Sequence, residues 1–524
     1  MSTLFSIFER NNNNNTAVIV PGSAPTPAHL TFQQLLQVLA DFSGKLAAVL
    51  PASTFKPGHA ISIAYPNSLE FIIAFLATGY MRLVAAPLNA AYTEEEFKFY
   101  LDDSQSHAII VPKGSTQSNS PVVRAAKSFG VAVVEIEWAN NQIQVELTVP
   151  GKDKSRGGFN PSKVRPQPDD VALLLHTSGT TGRPKGVPLT HLNIATTMQN
   201  IINTYNLTPA DRTYLVMPLF HVHGLICGLL ATLLSGGSAV IPQKFSAGVF
   251  WKDFIDNKCN WYTAVPTMHQ ILLLHPPKEI PNIRFIRSCS SSLAPPTFHA
   301  LEETFKAPVL EAYAMTEAAH QMTSNPLPPA VRKPGSVGLG QGVEIAILDN
   351  SGKHVEEGEV CIKGTNVTKG YLNNPKANEG AFTADGWFRT GDQGKKDKDG
   401  YLILTGRIKE LINRGGEKIS PLEIDGVLLA FPKAAEAICF GVEDQMYGQE
   451  VHAAVVLKKA NENEDPKKIE KEMQEFASAK LAKFKIPKRI YVVKEMQKTA
   501  TGKVSRVKMS EAANKQNSAP KAKL

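Results

Sequence analysis

The chain has 524 residues, of which 43% are hydrophobic and 20% are charged. That length predicts more than one domain, and the composition excludes a disordered or fibrous protein. The formal net charge of +8 predicts binding sites for polyanionic ligands. RNA binding stays open as an additional role, although no zinc-finger, basic-zipper or RNA-recognition pattern supports it. No apolar run reaches the ~18 residues of a membrane span, so we expect none.

Apolar strand-like runs alternate with segments of helical length from about residue 30 onward. Predicted strands at 60–65 and 108–111 precede predicted helices at 68–80 and 122–129. Further short apolar runs lie at 171–175, 214–217 and 261–265. This alternation is typical of α/β layers with parallel strands. The five cysteines form no CxxC pair, which argues against disulfides and a zinc site, and we expect most of them to be buried.

A loop dense in Gly, Ser and Thr follows the apolar run that begins at Val171. It starts at Thr177 and reaches Lys185. Glycine lets the backbone approach an anion closely, so that N–H groups and hydroxyls can surround phosphate oxygens. The GxxxxGK[ST] spacing of a P-loop is absent. The pattern therefore predicts a phosphate-binding loop of another type.

Residues 177–186 resemble the phosphate-loop signature of the adenylate-forming superfamily. That superfamily includes acyl-CoA synthetases, peptide-synthetase adenylation domains and beetle luciferases. The resemblance covers essentially the whole chain, because further motifs follow in the family's order. They lie at 220–224, 288–295, 311–317, 387–392, 406–410, 411–419 and 498–503.

The resemblance implies the fold and its division into domains. We expect a large N-terminal α/β unit of several subdomains over residues 1–406. A hinge at 407–410 would join it to a small mobile α+β domain over 411–524. Lys409 occupies the hinge position.

The resemblance also implies an ATP site built from most of these motifs. Tyr313 is expected to stack on adenine and Thr316 to bind the α-phosphate. Glu317 is the expected ligand of Mg²⁺, which prefers oxygen donors. The full set of predicted ATP-binding residues is Thr177, Ser178, Gly179, Thr180, Thr181, Gly182, Lys185, Ser291, Ser292, Glu311, Ala312, Tyr313, Thr316, Asp392, Arg407 and Lys503.

Lys503, Thr316 and His221 are the predicted catalytic residues. Lys503 follows a Gly in the pattern Thr-Ala-Thr-Gly-Lys, and its ammonium group would bridge the carboxylate and the α-phosphate. The family's usual Pro before this motif is Gln497 here. After rotation of the small domain, CoA would be contacted by Arg414, Gly415 and Gly416.

The acid substrate is predicted to lie against His221, Ser290 and His320. Several hydrogen-bond donors together suit a second carboxylate on a small acid, whereas an apolar acid would leave them unpaired. Residues 284–290, 311–317 and 410–420 are similar to the fungal and plant oxalate–CoA ligase branch, also described as peroxisomal CoA synthetases. We therefore expect an ATP-dependent ligase that joins oxalate to CoA.

Four alternatives remain open at this point. Medium-chain fatty acids or hydroxycinnamates could replace oxalate as the acid. A carrier-loading adenylation module is disfavoured because only about 20 residues follow Lys503. A luciferase-like oxygenase would share every motif named above.

The final tripeptide, Ala522-Lys523-Leu524, differs by one residue from the Ser-Lys-Leu peroxisomal address. We expect it to be read by the peroxisomal import receptor, with the protein in the peroxisomal matrix and some in the cytoplasm. Deletion of Leu524 from an N-terminally tagged protein should abolish co-localisation with a peroxisomal marker. The undeleted tagged protein is the control, and unchanged import of the deletion variant would contradict the expectation.

Overall fold

The computed structural model describes residues 2–24, 26–177, 184–498 and 504–518. Several predicted functional residues therefore lie outside the described part of the chain. They are Ser178, Gly179, Thr180, Thr181, Gly182, Lys503 and the tripeptide Ala522-Lys523-Leu524.

A mixed seven-stranded sheet forms the first layer of the described chain. Its inner strands run parallel, and each edge strand is antiparallel to its neighbour. Across the sheet the strands are Gln142–Val149, Ala132–Ala139, Ala108–Pro112, Ala60–Ala64, Val84–Leu88, Val171–Thr177 and Lys185–Thr190. The predicted strands at 60–65, 108–111 and 171–175 are thus confirmed within a residue or two.

A second sheet of nine described strands has parallel inner strands and antiparallel pairs at its ends. In spatial order they are Leu339–Gly340, His320–Ser324, Val309–Met315, Phe285–Ser288, Trp261–Ala264, Arg212–Leu215, Ser238–Val240, Thr16–Val20 and Ala28–Thr31. One hydrophobic core joins this sheet to the first, since it takes buried residues from strands of both.

Helices cover the sheets, and one of them lies wholly inside the shared core. Leu69–Tyr80 buries almost every side chain, and it begins where the Ser68 hydroxyl accepts a hydrogen bond from the Phe71 amide at 3.2 Å. The other described α-helices are Ser6–Asn11, Phe32–Val49, Glu94–Asp103, Pro121–Phe129, His191–Tyr205, Ala231–Leu234, Ala247–Asp256, Pro266–Leu274, Pro295–Phe305, Pro375–Glu379, Pro421–Leu429, Pro466–Ser478 and Arg506–Ser518. Short 3₁₀ turns occupy Ala52–Thr54, Pro161–Lys163, Thr316–Ala318, Ile408–Glu410, Lys459–Asn461 and Lys483–Lys485.

Two smaller sheets follow along the chain. An antiparallel sheet contains Glu344–Leu348, Glu357–Lys363, Phe388–Lys396 and Leu402–Arg407. The turn Ile408–Glu410, at the predicted hinge, leads to a five-stranded sheet of Glu417–Ile419, Ile412–Arg414, Gly448–Leu457, Ala434–Asp444 and Arg489–Val492. Two hydrophobic clusters here draw only on residues after 411. The predicted fold class, a large α/β unit followed by a small α+β unit, is confirmed.

Two expectations from composition agree with the described residues. All five cysteines are buried with free thiols. Among the described helices, none is both long enough and apolar enough to cross a membrane.

Candidate active site

The ends of the predicted phosphate loop are fixed by an antiparallel strand pair. Val171–Thr177 pairs with Lys185–Thr190, and Thr177 lies opposite Lys185. The pairing holds both ends of the loop at one edge of the seven-stranded sheet.

Lys185 is connected to the predicted metal ligand through a tyrosine. The Lys185 ammonium nitrogen lies 4.2 Å from the centroid of the Tyr371 ring, and the Tyr371 hydroxyl donates to Glu317 Oε1 at 2.9 Å. Burial raises the pKa of Glu317, while Tyr371 and Lys185 act in the opposite direction. The structure thus brings the loop lysine and the predicted metal ligand together, with Thr316 next to Glu317 on the same 3₁₀ turn.

Tyr371 was missed by the sequence analysis. It lies 54 residues after Glu317, and none of the predicted motifs contains it. The left-handed φ of +139° at Gly370 marks a local turn, but a single glycine before a tyrosine does not indicate a site. The contact between Tyr371 and Glu317 can be found only in the folded structure, because it joins segments that are far apart in the sequence.

Three predicted nucleotide-binding residues form one group that is joined by a hydrogen bond and an ion pair. The Tyr313 hydroxyl donates to Asp392 Oδ2, and Arg407 Nε lies 3.2 Å from Asp392 Oδ1. Asp392 and Arg407 face each other on paired antiparallel strands. Burial, reinforced by the charge of Asp392, raises the pKa of Tyr313 well above its usual range. The phenol therefore stays protonated, and the carboxylate is held by one hydrogen bond and one ion pair.

The serine loop before Pro295 is fixed by a buried carboxyl group. The Leu293 amide donates to Glu311 Oε1 at 2.9 Å, and burial raises the pKa of Glu311 to about 8. Burial therefore favours the neutral form of Glu311. Ser291 and Ser292 line a cavity of about 720 Å³ that is also lined by residues after 411, among them Arg506. Ala312, beside Glu311 in the strand, is buried.

The three predicted acid-binding residues surround a fourth, His223. His223 Nδ1 lies 3.1 Å from Ser290 Oγ, and the His223 amide donates to His221 Nδ1 at 3.2 Å. The His223 and His320 rings stack with centroids 5.3 Å apart. The sequence motif around 220–224 contained both histidines, but the prediction named only His221. The geometry makes the buried His223 the centre of the group.

Two residues of the same group have a strained backbone. Ser290 has φ +75° and His320 has φ +110°, both in the left-handed region that favours glycine. A π-helical segment, His223–Leu230, begins at the central histidine. Strained residues and π-helical turns occur preferentially at functional sites, so these three features support the prediction of a binding pocket here.

The predicted CoA-contacting residues lie on a tight turn in the five-stranded sheet. Gly415 and Gly416 have φ +59° and +94°, and the Gly415 amide donates to the Tyr447 carbonyl at 2.8 Å. The Arg414 guanidinium lies 4.1 Å from the centroid of the Tyr447 ring. The predicted hinge residue, Lys409, is exposed in the turn Ile408–Glu410.

Two α/β sheets with a shared core, followed by a small α+β unit, define the adenylate-forming class of enzyme. The sequence model of the AMP-binding enzyme family matches residues 7–372, and that of the AMP-binding enzyme C-terminal domain matches residues 423–503. The chain therefore belongs to the AMP-binding enzyme family.

Known proteins resemble the chain over nearly its full length. It is 49% identical to the oxalate–CoA ligase of Saccharomyces cerevisiae, with 97% of this chain and 96% of that protein covered. It is 50% identical to the oxalate–CoA ligase of Arabidopsis thaliana, with coverages of 86% and 88%. The crystal structure of ATP-bound MatB from Rhodopseudomonas palustris superposes with a TM-score of 0.85 at 27% identity, covering 98% of this chain and 99% of that one.

Proposed function

We propose that the protein is an ATP-dependent acid–CoA ligase that converts oxalate to oxalyl-CoA through an acyl-adenylate. The observation that carries the proposal is the polar group of Ser290, His221 and His320 around His223. The oxalate–CoA ligases that resemble the chain at about half identity support the choice of oxalate.

The first step joins the acid to AMP. A carboxylate oxygen of the acid attacks the α-phosphorus of ATP, and the bond from that phosphorus to the pyrophosphate oxygen breaks. Both reactants are anionic, so the protein must supply positive charge and fixed positions. Lys185 and Lys503 would supply charge, and the resemblance implies that Asp392 accepts hydrogen bonds from the ribose hydroxyls.

Glu317 fits a magnesium ion. Mg²⁺ is usually bound by one or two carboxylates together with substrate phosphates and water, and Glu317 is a buried carboxylate close to Lys185 and Tyr371. The bound ion would neutralise charge on the ATP phosphates.

The second step forms the thioester. The CoA sulfur, after loss of its proton, attacks the acyl carbon, and the bond from that carbon to the AMP oxygen breaks. We propose that residues after 410 rotate about Lys409 between the steps, so that Lys503 leaves the site and Gly415 and Gly416 approach CoA. A few hinge residues can absorb such a change in backbone angles.

A panel of acids tests the proposed substrate. With ATP, Mg²⁺ and CoA, oxalate should give the highest kcat/KM for pyrophosphate release, above malonate, octanoate and 4-coumarate. Omission of CoA separates adenylate formation from thioester formation, and omission of the acid gives the background. A higher kcat/KM with malonate, octanoate or 4-coumarate than with oxalate would contradict the choice of oxalate.

A further inference from the structure

A buried arginine lies against His223, the residue at the centre of the predicted acid-binding group. Arg287, on the strand Phe285–Ser288, is 0% exposed. Its Nε donates to the Tyr205 hydroxyl at 2.7 Å. Its Nη1 donates to Thr263 Oγ1 and its Nη2 to Gln321 Oε1, each at 3.3 Å. All of these partners are neutral.

The charge of Arg287 lacks a counter-ion within the protein as far as the chain is described. No carboxylate of the described residues forms an ion pair with it. A buried charge is costly unless an opposite charge accompanies it. Neutral side chains could hydrogen-bond to Tyr205 and Gln321 without that cost. An anion bound in the adjacent pocket would supply the missing negative charge.

The contact with Arg287 favours the tautomer of His223 that carries its proton on Nδ1. Arg287 Nη1 lies 3.5 Å from His223 Nε2, and a guanidinium group has only donors to offer. A ring N–H at Nε2 would therefore face another N–H. In that tautomer the Thr263 hydroxyl, 2.6 Å from Nε2, can donate to Nε2 while its oxygen accepts from Arg287.

This tautomer of His223 fixes the role of Ser290 in the hydrogen bond between them. With its proton on Nδ1, His223 donates to Ser290 Oγ across 3.1 Å. The serine oxygen is then an acceptor toward His223, and the serine proton is directed to another acceptor. In the pocket, that acceptor would be a carboxylate oxygen of the acid.

We propose that Arg287 is the specificity-determining positioning residue of the acid pocket. Through Thr263 and His223 it orients Ser290 as a donor, and its uncompensated charge favours an acid with two carboxylates over one with a single carboxylate. This inference rests on the proposed acid-activating function.

The test compares oxalate with oxamate, which has a similar shape but only one carboxylate. Acid-dependent ATP–pyrophosphate exchange is measured for the wild type, Arg287→Met, Arg287→Lys and the control Arg284→Met. Arg284 lies just before the same strand but pairs with Asp211 at 2.7 Å. The wild type should prefer oxalate at least 100-fold in kcat/KM. Arg287→Met should reduce the preference below tenfold with the KM for ATP unchanged, while Arg287→Lys and Arg284→Met should keep it.

Arg287→Met that retains the wild-type preference would overturn the inference. If Arg287→Met does not fold, Thr263→Val tests the inference instead. This variant removes the Thr263 hydroxyl, which links Arg287 to His223, and leaves the charge of Arg287 in place. Thr263→Val should raise the KM for oxalate at least tenfold without changing the KM for ATP, and Thr263→Ser should restore it. An unchanged KM for oxalate in Thr263→Val would overturn the inference. A wild type that shows no oxalate-dependent exchange would instead refute the proposed function, and the inference with it.

Discussion

Replacing Lys503 by alanine is expected to slow acyl-adenylate formation by about 100- to 1,000-fold, as for loss of one group that stabilises transition-state charge. The ammonium group would no longer balance the negative charge that develops between the carboxylate and the α-phosphate. Thioester formation from supplied acyl-adenylate and CoA should stay close to the wild-type rate. Acid-dependent ATP–pyrophosphate exchange measures the first reaction, and release of AMP from supplied adenylate measures the second.

The described residues that flank Lys503 in the sequence should keep their conformation in the Lys503→Ala variant. Lys498 and Val504 form a β-bridge. Arg506 donates to Asp425 at 2.8 Å and to Glu410 at 3.2 Å, which ties this segment to the predicted hinge. Lys498→Ala is the matched control, because Lys498 pairs with Glu436 at 2.9 Å and should have no role in either reaction.

Lys409→Pro provides the reciprocal variant. Proline fixes φ and should restrict rotation at the turn Ile408–Glu410. Adenylate formation should then persist while thioester formation is lost. If Lys503→Ala and Lys409→Pro both impair only the same half-reaction, a two-state rotation of the small domain is excluded.

Asp392→Asn is expected to lower kcat/KM for ATP by about 10- to 100-fold, the scale of about 1.5–3 kcal/mol for losing a hydrogen bond to a charged group. Asn keeps the shape of Asp but removes the charge that holds Arg407 at 3.2 Å. It would also weaken acceptance from the ribose hydroxyls. Most of the effect should be in the KM for ATP, and the KM for the acid should change little.

Steady-state kinetics with ATP and acid varied in turn checks this prediction. Asp399→Asn is the control, since Asp399 is a half-exposed carboxylate that pairs with Lys333 beyond the nucleotide-binding group. A KM for ATP that is unchanged in Asp392→Asn would show that Asp392 is not part of the nucleotide site.

Much of the fold followed from local patterns in the sequence. The strand at Ala60–Ala64 and the helix at Leu69–Tyr80 were predictable because their apolar runs have the length and the flanking residues of such elements. The helix Pro421–Leu429 was predictable from its Ser-Pro start, and the Ser420 hydroxyl does accept from the Glu423 amide. The antiparallel edge strands were not predicted, since strand direction depends on how distant segments meet.

The candidate site likewise contains residues that the sequence predicted and residues that it could not predict. Tyr313, Asp392 and Arg407 belong to motifs, and the structure brings them together, while their roles toward the nucleotide stay predictions. Arg287 and Tyr371 could not be assigned roles from the sequence. Their importance comes from being buried beside residues tens of positions away, such as His223 at 64 positions from Arg287. Chain patterns report periodicity and turns, not the partners of a single buried side chain.

The left-handed backbone at Ser290 and His320 limits how this pocket could be redesigned. A library aimed at larger acids would ordinarily sample all side chains at both positions. With φ at +75° and +110°, branched residues such as Val, Ile and Thr would carry a conformational penalty there, whereas Gly, Asn and Asp would be tolerated better. The branched apolar residues that would make the pocket suit a hydrocarbon chain are thus those that this backbone accepts least. Evolution towards a fatty acid would therefore require the two loops to be rebuilt rather than single side chains to be exchanged.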